Sequence, residues 1–184
     1  NILIKKNKKK LEASSFKISE DELNKIFKSK LNENNLEDID GLNLVFFESI
    51  KNKLGIRKTS FTKIFQYLDN IEGPINIVET GCLRIKDNFK GDGQSTLLFD
   101  KYTQYRKEKS KVYTVDINPK ATEFCKSIVS NNVEIHTGDS VKYLTELMPK
   151  LKKQDQKISL FYLDSFDVDW QSSDRSAAHH LKEI

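Results

Sequence analysis

The spacing of apolar residues changes character once along this chain, at Gly73-Pro74. Ahead of that break they recur every three or four positions, the period of a helix with one buried face. Ser19-Glu20-Asp21-Glu22 makes a capping box, in which the serine oxygen holds the amide three residues on and Glu22 returns to the serine amide. Leu23, Ile26, Phe27 and Leu31 then follow at helical spacing. A second helix is expected from about Leu42 to Leu54, and a third from Ser60 with Phe61, Ile64, Phe65 and Leu68 on one face.

After Pro74 short apolar runs alternate with helical stripes, the pattern of a parallel sheet with helices packed on its faces. The expected strands are Ile75 to Glu79, Val112 to Asp116, Val133 to His136 and Ile158 to Leu163. The last of these is a near-continuous apolar run, as for a strand buried on both faces. Helices are expected from Ser95 to about Lys107, from the cap and first-turn proline Asn118-Pro119, along Val141 to Leu151, and from Ser172 or Ser173. The second of these carries the stripe Ala121, Phe124, Cys125, Ile128 and Val129. The fold class is α/β. Residues 1–18 are expected to form a disordered basic tail, 19–73 a helical arm, and 74–184 a ligand-binding sheet domain.

Composition narrows the partners. A chain of 184 residues can bury roughly 70% of its unfolded surface, so it needs neither a metal nor a disulfide to fold. With 37% hydrophobic and 32% charged residues, it has no apolar run near the roughly 20 residues that span a membrane. Much of the formal charge of +4 lies in Lys5, Lys6, Lys8, Lys9 and Lys10, in the tail rather than on a structured face, which disfavours nucleic acid as a partner. Cys82 and Cys125 fall in unrelated contexts without C-x-x-C spacing and read as free thiols of a reducing, cytoplasmic setting. The opening at Asn1 and the stop at Ile184 within an expected helix read as a fragment.

The chemistry gathers at strand ends. Glu79-Thr80-Gly81 closes the first strand, and Gly91-Asp92-Gly93-Gln94-Ser95-Thr96 leads into the next helix, the arrangement by which α/β folds hold a nucleotide-like ligand. A pyrophosphate beside Glu79 would be repelled by roughly 4 kcal/mol per close charge pair at an effective dielectric near 20. An adenosyl group joined to a cation is favoured there instead. Asp116 ends the second strand, where a carboxylate can accept from both hydroxyls of a ribose. Gly138-Asp139-Ser140 ends the third and Tyr162-Leu163-Asp164 the fourth.

This ordered set resembles the class I S-adenosylmethionine-dependent methyltransferases over about Pro74 to Ile184. The resemblance implies a Rossmann-like sheet, here its first four strands with the C-terminal half missing. It implies a cofactor site of Glu79, Thr80, Gly81, Gly93, Ser95, Asp116, Ile117, Asp139 and Ser140, with Ser140 alternatively only capping its helix. It implies methyl transfer to an oxygen or nitrogen of a small molecule or sugar, with Asp164 and His179 as catalytic candidates. Asp164 serves either as a base or as ligand to a divalent cation such as Mg, with Asp167 and Asp169 extending the acidic cluster. His179 and His180 are adjacent on a helix, so at most one is expected to face the site; His136 is expected to be structural. The insertion from Cys82 to Asp92 departs from the family's compact first loop. Two other readings stand beside this one: a nicotinamide-dependent oxidoreductase, which Glu79 and the lack of a compact G-x-G-x-x-G disfavour, and a binding or scaffold module with the same fold and no reaction.

Overall fold

The computed structural model describes residues 47, 50–89, 94–106, 109–165 and 173–184. All of them lie in one compact unit, Leu42–Ile184. The expected basic tail, the helix from Ser19, most of the helix from Leu42, Gly91, Gly93, Asp167 and Asp169 fall outside the described residues.

Four strands form one sheet: β1 (Asn76–Thr80), β2 (Lys111–Asp116), β3 (Val133–Thr137) and β4 (Leu160–Leu163). Among the described residues five α-helices accompany them: α1 (Lys58–Asp69), α2 (Ser95–Tyr105), α3 (Pro119–Ile128), α4 (Ser140–Lys153) and α5 (Ser173–Glu183), with a 3-10 turn at Gly55–Arg57 before α1. The strand order is β3-β2-β1-β4, and every pair is parallel. This is an α/β architecture consistent with a Rossmann-like fold. The chain builds outward from β1 to β3 and then returns to the other side of β1, so the order reverses between β1 and β4. Among the described residues no helix is long and apolar enough to cross a membrane.

Successive strand residues point to opposite faces, and that alternation sorts the core into two layers. Ile75, Ile77 and Val112 face Phe61 and Leu68 of α1 and Leu98 and Phe99 of α2. Val78, Tyr113 and Val115 face Tyr143, Leu144, Leu147 and Leu151 of α4. The first layer is strongly aromatic: Tyr162 of β4 lies 6.0 Å from the Phe61 ring and 5.4 Å from Phe99, and Phe65 stacks on Tyr102 at 4.9 Å. A helix read from its apolar period alone thus becomes a layer of the sheet domain.

β4 departs from expectation. The apolar run suggested a strand from Ile158 buried on both faces, yet the strand begins at Leu160 and all four of its residues are half-buried. Among the described strands it pairs with β1 alone, and a strand at the margin of a sheet is only partly covered. Ile158 and Phe161 still pack against the α4 layer.

Arg106, just past α2, secures the end of α1. Its guanidinium donates to the carbonyls of Leu68 (3.1 Å), Ile71 (2.7 Å) and Gly73 (2.7 Å) and to the Tyr102 hydroxyl (3.3 Å), which itself donates to Asp69. The last carbonyls of a helix lack intrahelical donors and carry partial negative charge, so a cation with a forked donor set serves both needs. Arg106→Ala is expected to lower stability by about 2–4 kcal/mol in urea unfolding, because it removes the donor from the Ile71 and Gly73 carbonyls and one donor from Leu68. Arg106→Lys is expected to restore less than half of that loss, since an ammonium cannot span the same three carbonyls.

Candidate functional site

Parallel pairing places the C-terminal ends of all four strands on one edge, and the residues that follow them line it: Gly81, Ile117, Gly138-Asp139 and Asp164-Ser165. Ligands of open α/β sheets bind at this edge, above the point where the strand order reverses. Here that point lies between β1 and β4. Gly81 makes the crossing possible: its φ is +85°, and a Cβ there would lie 3.0 Å from the Asp164 carbonyl carbon and closer still to its oxygen. Its amide donates to Val115 (2.8 Å), and the Asp164 amide donates to the Thr80 carbonyl (2.9 Å), so the loops leaving β1 and β4 run against each other.

Asp116 is tied from both sides. Oδ1 accepts the Asn118 amide (2.8 Å), and Oδ2 accepts the Cys82 amide (3.2 Å). A carboxylate offers about four acceptor positions, so each oxygen retains capacity for one further donor. Next to it Ile117 is 73% exposed, an apolar side chain held out at the edge.

Glu79 does not stand on the rim. It is fully buried on the α2 face of β1, where Oε2 accepts hydroxyl hydrogens from Thr96 (2.6 Å) and Thr114 (2.9 Å), while Oε1 has no hydrogen-bond partner. Burial pushes its carboxyl up to about 7, against the lowering effect of hydroxyls from Ser95, Thr96 and Thr114; the Asp164 charge adds to the rise. Thr114 lies directly across from Glu79 in the β1–β2 register, and Ser95 and Thr96 open α2. Sequence reasoning marked Ser95 but missed both threonines. Only strand register brings Thr114 to this carboxylate.

Asp164 is more open, with its side chain 51% exposed and Oδ2 4.0 Å from Arg57. The same guanidinium donates to the Tyr162 hydroxyl (3.2 Å) and lies over the Phe61 ring at 5.5 Å. Arg57 was missed because it lies over a hundred residues upstream of the strand end it serves.

The helix cap falls to Asp139 rather than to Ser140. Asp139 is the cap of α4, with Oδ1 accepting the Lys142 amide (2.9 Å). Ser140 lies in the first turn, buried, with Oγ 3.1 Å from His179 Nε2. That nitrogen is also 3.2 Å from Glu183 Oε1, while His180 Nδ1 is 2.8 Å from Glu183 Oε2. Both adjacent histidines therefore reach one carboxylate. Glu183 is four residues beyond one and three beyond the other, and a helix places both separations on the same side. Glu183 also accepts from Ser165 (2.7 Å) and Thr80 (3.4 Å). Burial opposes its ionisation, but hydrogen bonds from Ser140, Ser165 and His180 and the charge of His179 outweigh it and hold the carboxyl below its ordinary value. This is no serine–histidine–acid relay, because serine and acid approach the same ring nitrogen, which cannot accept from one while donating to the other. The cluster latches α5 onto the ends of β1 and β4. Sequence inspection missed Glu183, though its spacing from His179 and His180 was visible.

His136 stacks on Tyr143 with ring centres 4.5 Å apart, a packing role. Cys82 and Cys125, taken from sequence as unrelated, share one buried cluster with Leu83 and Ala121. Among the described residues no group of three or more His, Cys, Asp or Glu side chains is arranged to hold a metal. Asp167 and Asp169, expected to extend the acidic cluster of Asp164, lie outside the described residues.

Comparison of the chain with protein-family models, curated proteins and solved structures returns no match.

Glu79 also has a thermodynamic signature. Below pH 4.5 it is neutral in both folded and unfolded chains; between 4.5 and about 7 only the unfolded chain releases the proton, so stability falls as pH rises through that window. The full difference corresponds to about 3 kcal/mol at 1.36 kcal/mol per pKa unit. Thermal unfolding followed across this range is expected to show a falling midpoint in the wild type and a flatter profile in Glu79→Gln. Identical slopes in the two proteins would remove Glu79 as the cause.

Proposed function

We propose that the chain binds S-adenosylmethionine at the C-terminal edge of its sheet and passes the methyl group to an oxygen or nitrogen of a small molecule or sugar. The observation that carries this reading is the pairing of Asp116 with Ile117. A carboxylate with one open acceptor position on each oxygen suits the two hydroxyls of a ribose, and an isoleucine 73% exposed beside it suits the flat face of a base.

The remaining groups favour a cationic partner half. Glu79 and Asp164 sense one another's charge, and Glu79 has a buried oxygen without a donor. A pyrophosphate would face the Asp164 carboxylate with the buried Glu79 behind it, whereas a positive sulfur and an ammonium would relieve the repulsion between the two acids. When bound, the cofactor supplies an electrophilic methyl group. Asp164, held near Arg57 and half-exposed, accepts the proton of the incoming hydroxyl or amine. Gly81 keeps the floor of the site free of a side chain, and Thr80, Ser140, Ser165 and His179 hold α5 against it through Glu183. Proton acceptance falls to Asp164 rather than to His179, whose Nε2 is already shared between Ser140 and Glu183.

Calorimetric titration with S-adenosylhomocysteine tests the binding half, and the absence of saturable heat at millimolar ligand would remove the reading. Asp116→Ala is expected to weaken binding about tenfold or more, the equivalent of one charge-assisted hydrogen bond. Affinity for S-adenosylmethionine is expected to rise as pH increases through about 7, since a cation favours the ionised form of Glu79. Quenching by NADH with no response to the adenosyl ligand would favour the oxidoreductase. Saturable binding without transfer of labelled methyl to any acceptor in a lysate would leave a binding module.

A further inference from the structure

Two cysteines are the whole thiol content of the chain, and folding brings them together. Cys82 lies on the loop leaving β1, and Cys125 lies on α3; both are buried in the cluster completed by Leu83 and Ala121. They differ in access. Cys125 is fully enclosed, whereas Cys82 keeps 7% of its surface exposed. The Cys82 backbone is fixed on both sides of the thiol: its amide donates to Asp116 (3.2 Å), and the next amide, Leu83, donates to Thr96 (3.0 Å). The helix that carries Cys125 is fixed through Thr122, whose hydroxyl meets that of Thr137 on β3 at 2.7 Å. The two thiols thus lie on separately anchored elements within one buried cluster, and the chain has no other thiol.

We propose that Cys82 and Cys125 form a redox modification site, at which a peroxide joins them in a disulfide that fastens the loop after β1 to α3. Cys82, the accessible member, attacks the peroxide as its thiolate; the O–O bond breaks, the sulfur becomes a sulfenic acid and hydroxide leaves. Cys125 sulfur then displaces the sulfenic hydroxyl, which departs as water with the second thiol proton. The balance is two thiols and one hydrogen peroxide to one disulfide and two waters, with two electrons passing from sulfur to the peroxide. The neighbouring Cys125 thiol and burial both push the Cys82 thiol up, so little thiolate is present at neutral pH and the reaction accelerates in alkali. The site stands apart from any reading of the ligand edge, although it adjoins it through the Cys82 amide on Asp116.

The test is intact mass spectrometry of the whole chain after hydrogen peroxide, before and after dithiothreitol. The expected result is the loss of two hydrogens in a monomer, reversed by the reductant and faster at higher pH, with both thiols lost together to a titrant in denaturant. In Cys125→Ser the same treatment is expected to add oxygen to Cys82 and to remove no hydrogen pair. A disulfide-linked dimer, oxygen added to one thiol of the wild type without the paired loss, or two thiols still titratable after peroxide would each overturn the proposal. The oxidised chain is also expected to unfold at a higher temperature than the reduced chain. A lower midpoint would overturn the fastening of loop to helix.

Discussion

Parallel pairing is the constraint on which this molecule depends. When all strands of a sheet run the same way, their carboxyl ends meet on one edge, and whatever side chains follow them become neighbours however far apart they lie in sequence. Thr80, Asp116, Thr137 and Leu163 end the four strands, and the groups just past them touch: the Gly138 amide reaches the Asp116 carbonyl, and the Asp164 amide reaches Thr80. The order β3-β2-β1-β4 then sets β1 between an inner and an outer neighbour, so its exit loop is pressed against both. Gly81 is the consequence, a position where a left-handed backbone and a close approach leave no room for a side chain.

Two buried carboxylates near this edge respond in opposite directions, and the contrast shows how burial competes with hydrogen-bond donors. Glu79 has neutral hydroxyls on one oxygen and nothing on the other, so desolvation prevails and its proton is held more tightly. Glu183 receives hydroxyls together with two imidazoles, and the donors prevail over a weaker desolvation. One acid is left able to respond to a positive charge, while the other is committed to holding a helix in place. The difference lies in donor number and charge together with the deeper burial of Glu79.

Most of the architecture was legible in the chain itself, for a physical reason. Helical and strand periods follow from local geometry and need no partner to be recognised. The stripe from Phe61 to Leu68, the cap and proline at Asn118-Pro119 and the strand ends at Asp116 and Thr80 each emerged within a residue or two of the expected place. Where the reading erred, the error came from treating neighbours in sequence as isolated. Asp139 rather than Ser140 caps α4, Glu183 between the two histidines of α5 went unmarked, and β4 was shorter and less covered than its apolar run suggested.

The sequence by itself determined the alternation of strands and helices, the glycine at the first crossing and the acids at the strand ends, because these are written in residue type and short-range spacing. Tertiary structure alone decided how those acids are used. Register set Thr114 against Glu79, the return of the chain to β4 brought Arg57 to Asp164, and the packing of α3 beneath the first loop joined Cys125 to Cys82. Such pairings depend on which elements lie side by side, and no local pattern records the charge or burial that a distant partner will impose.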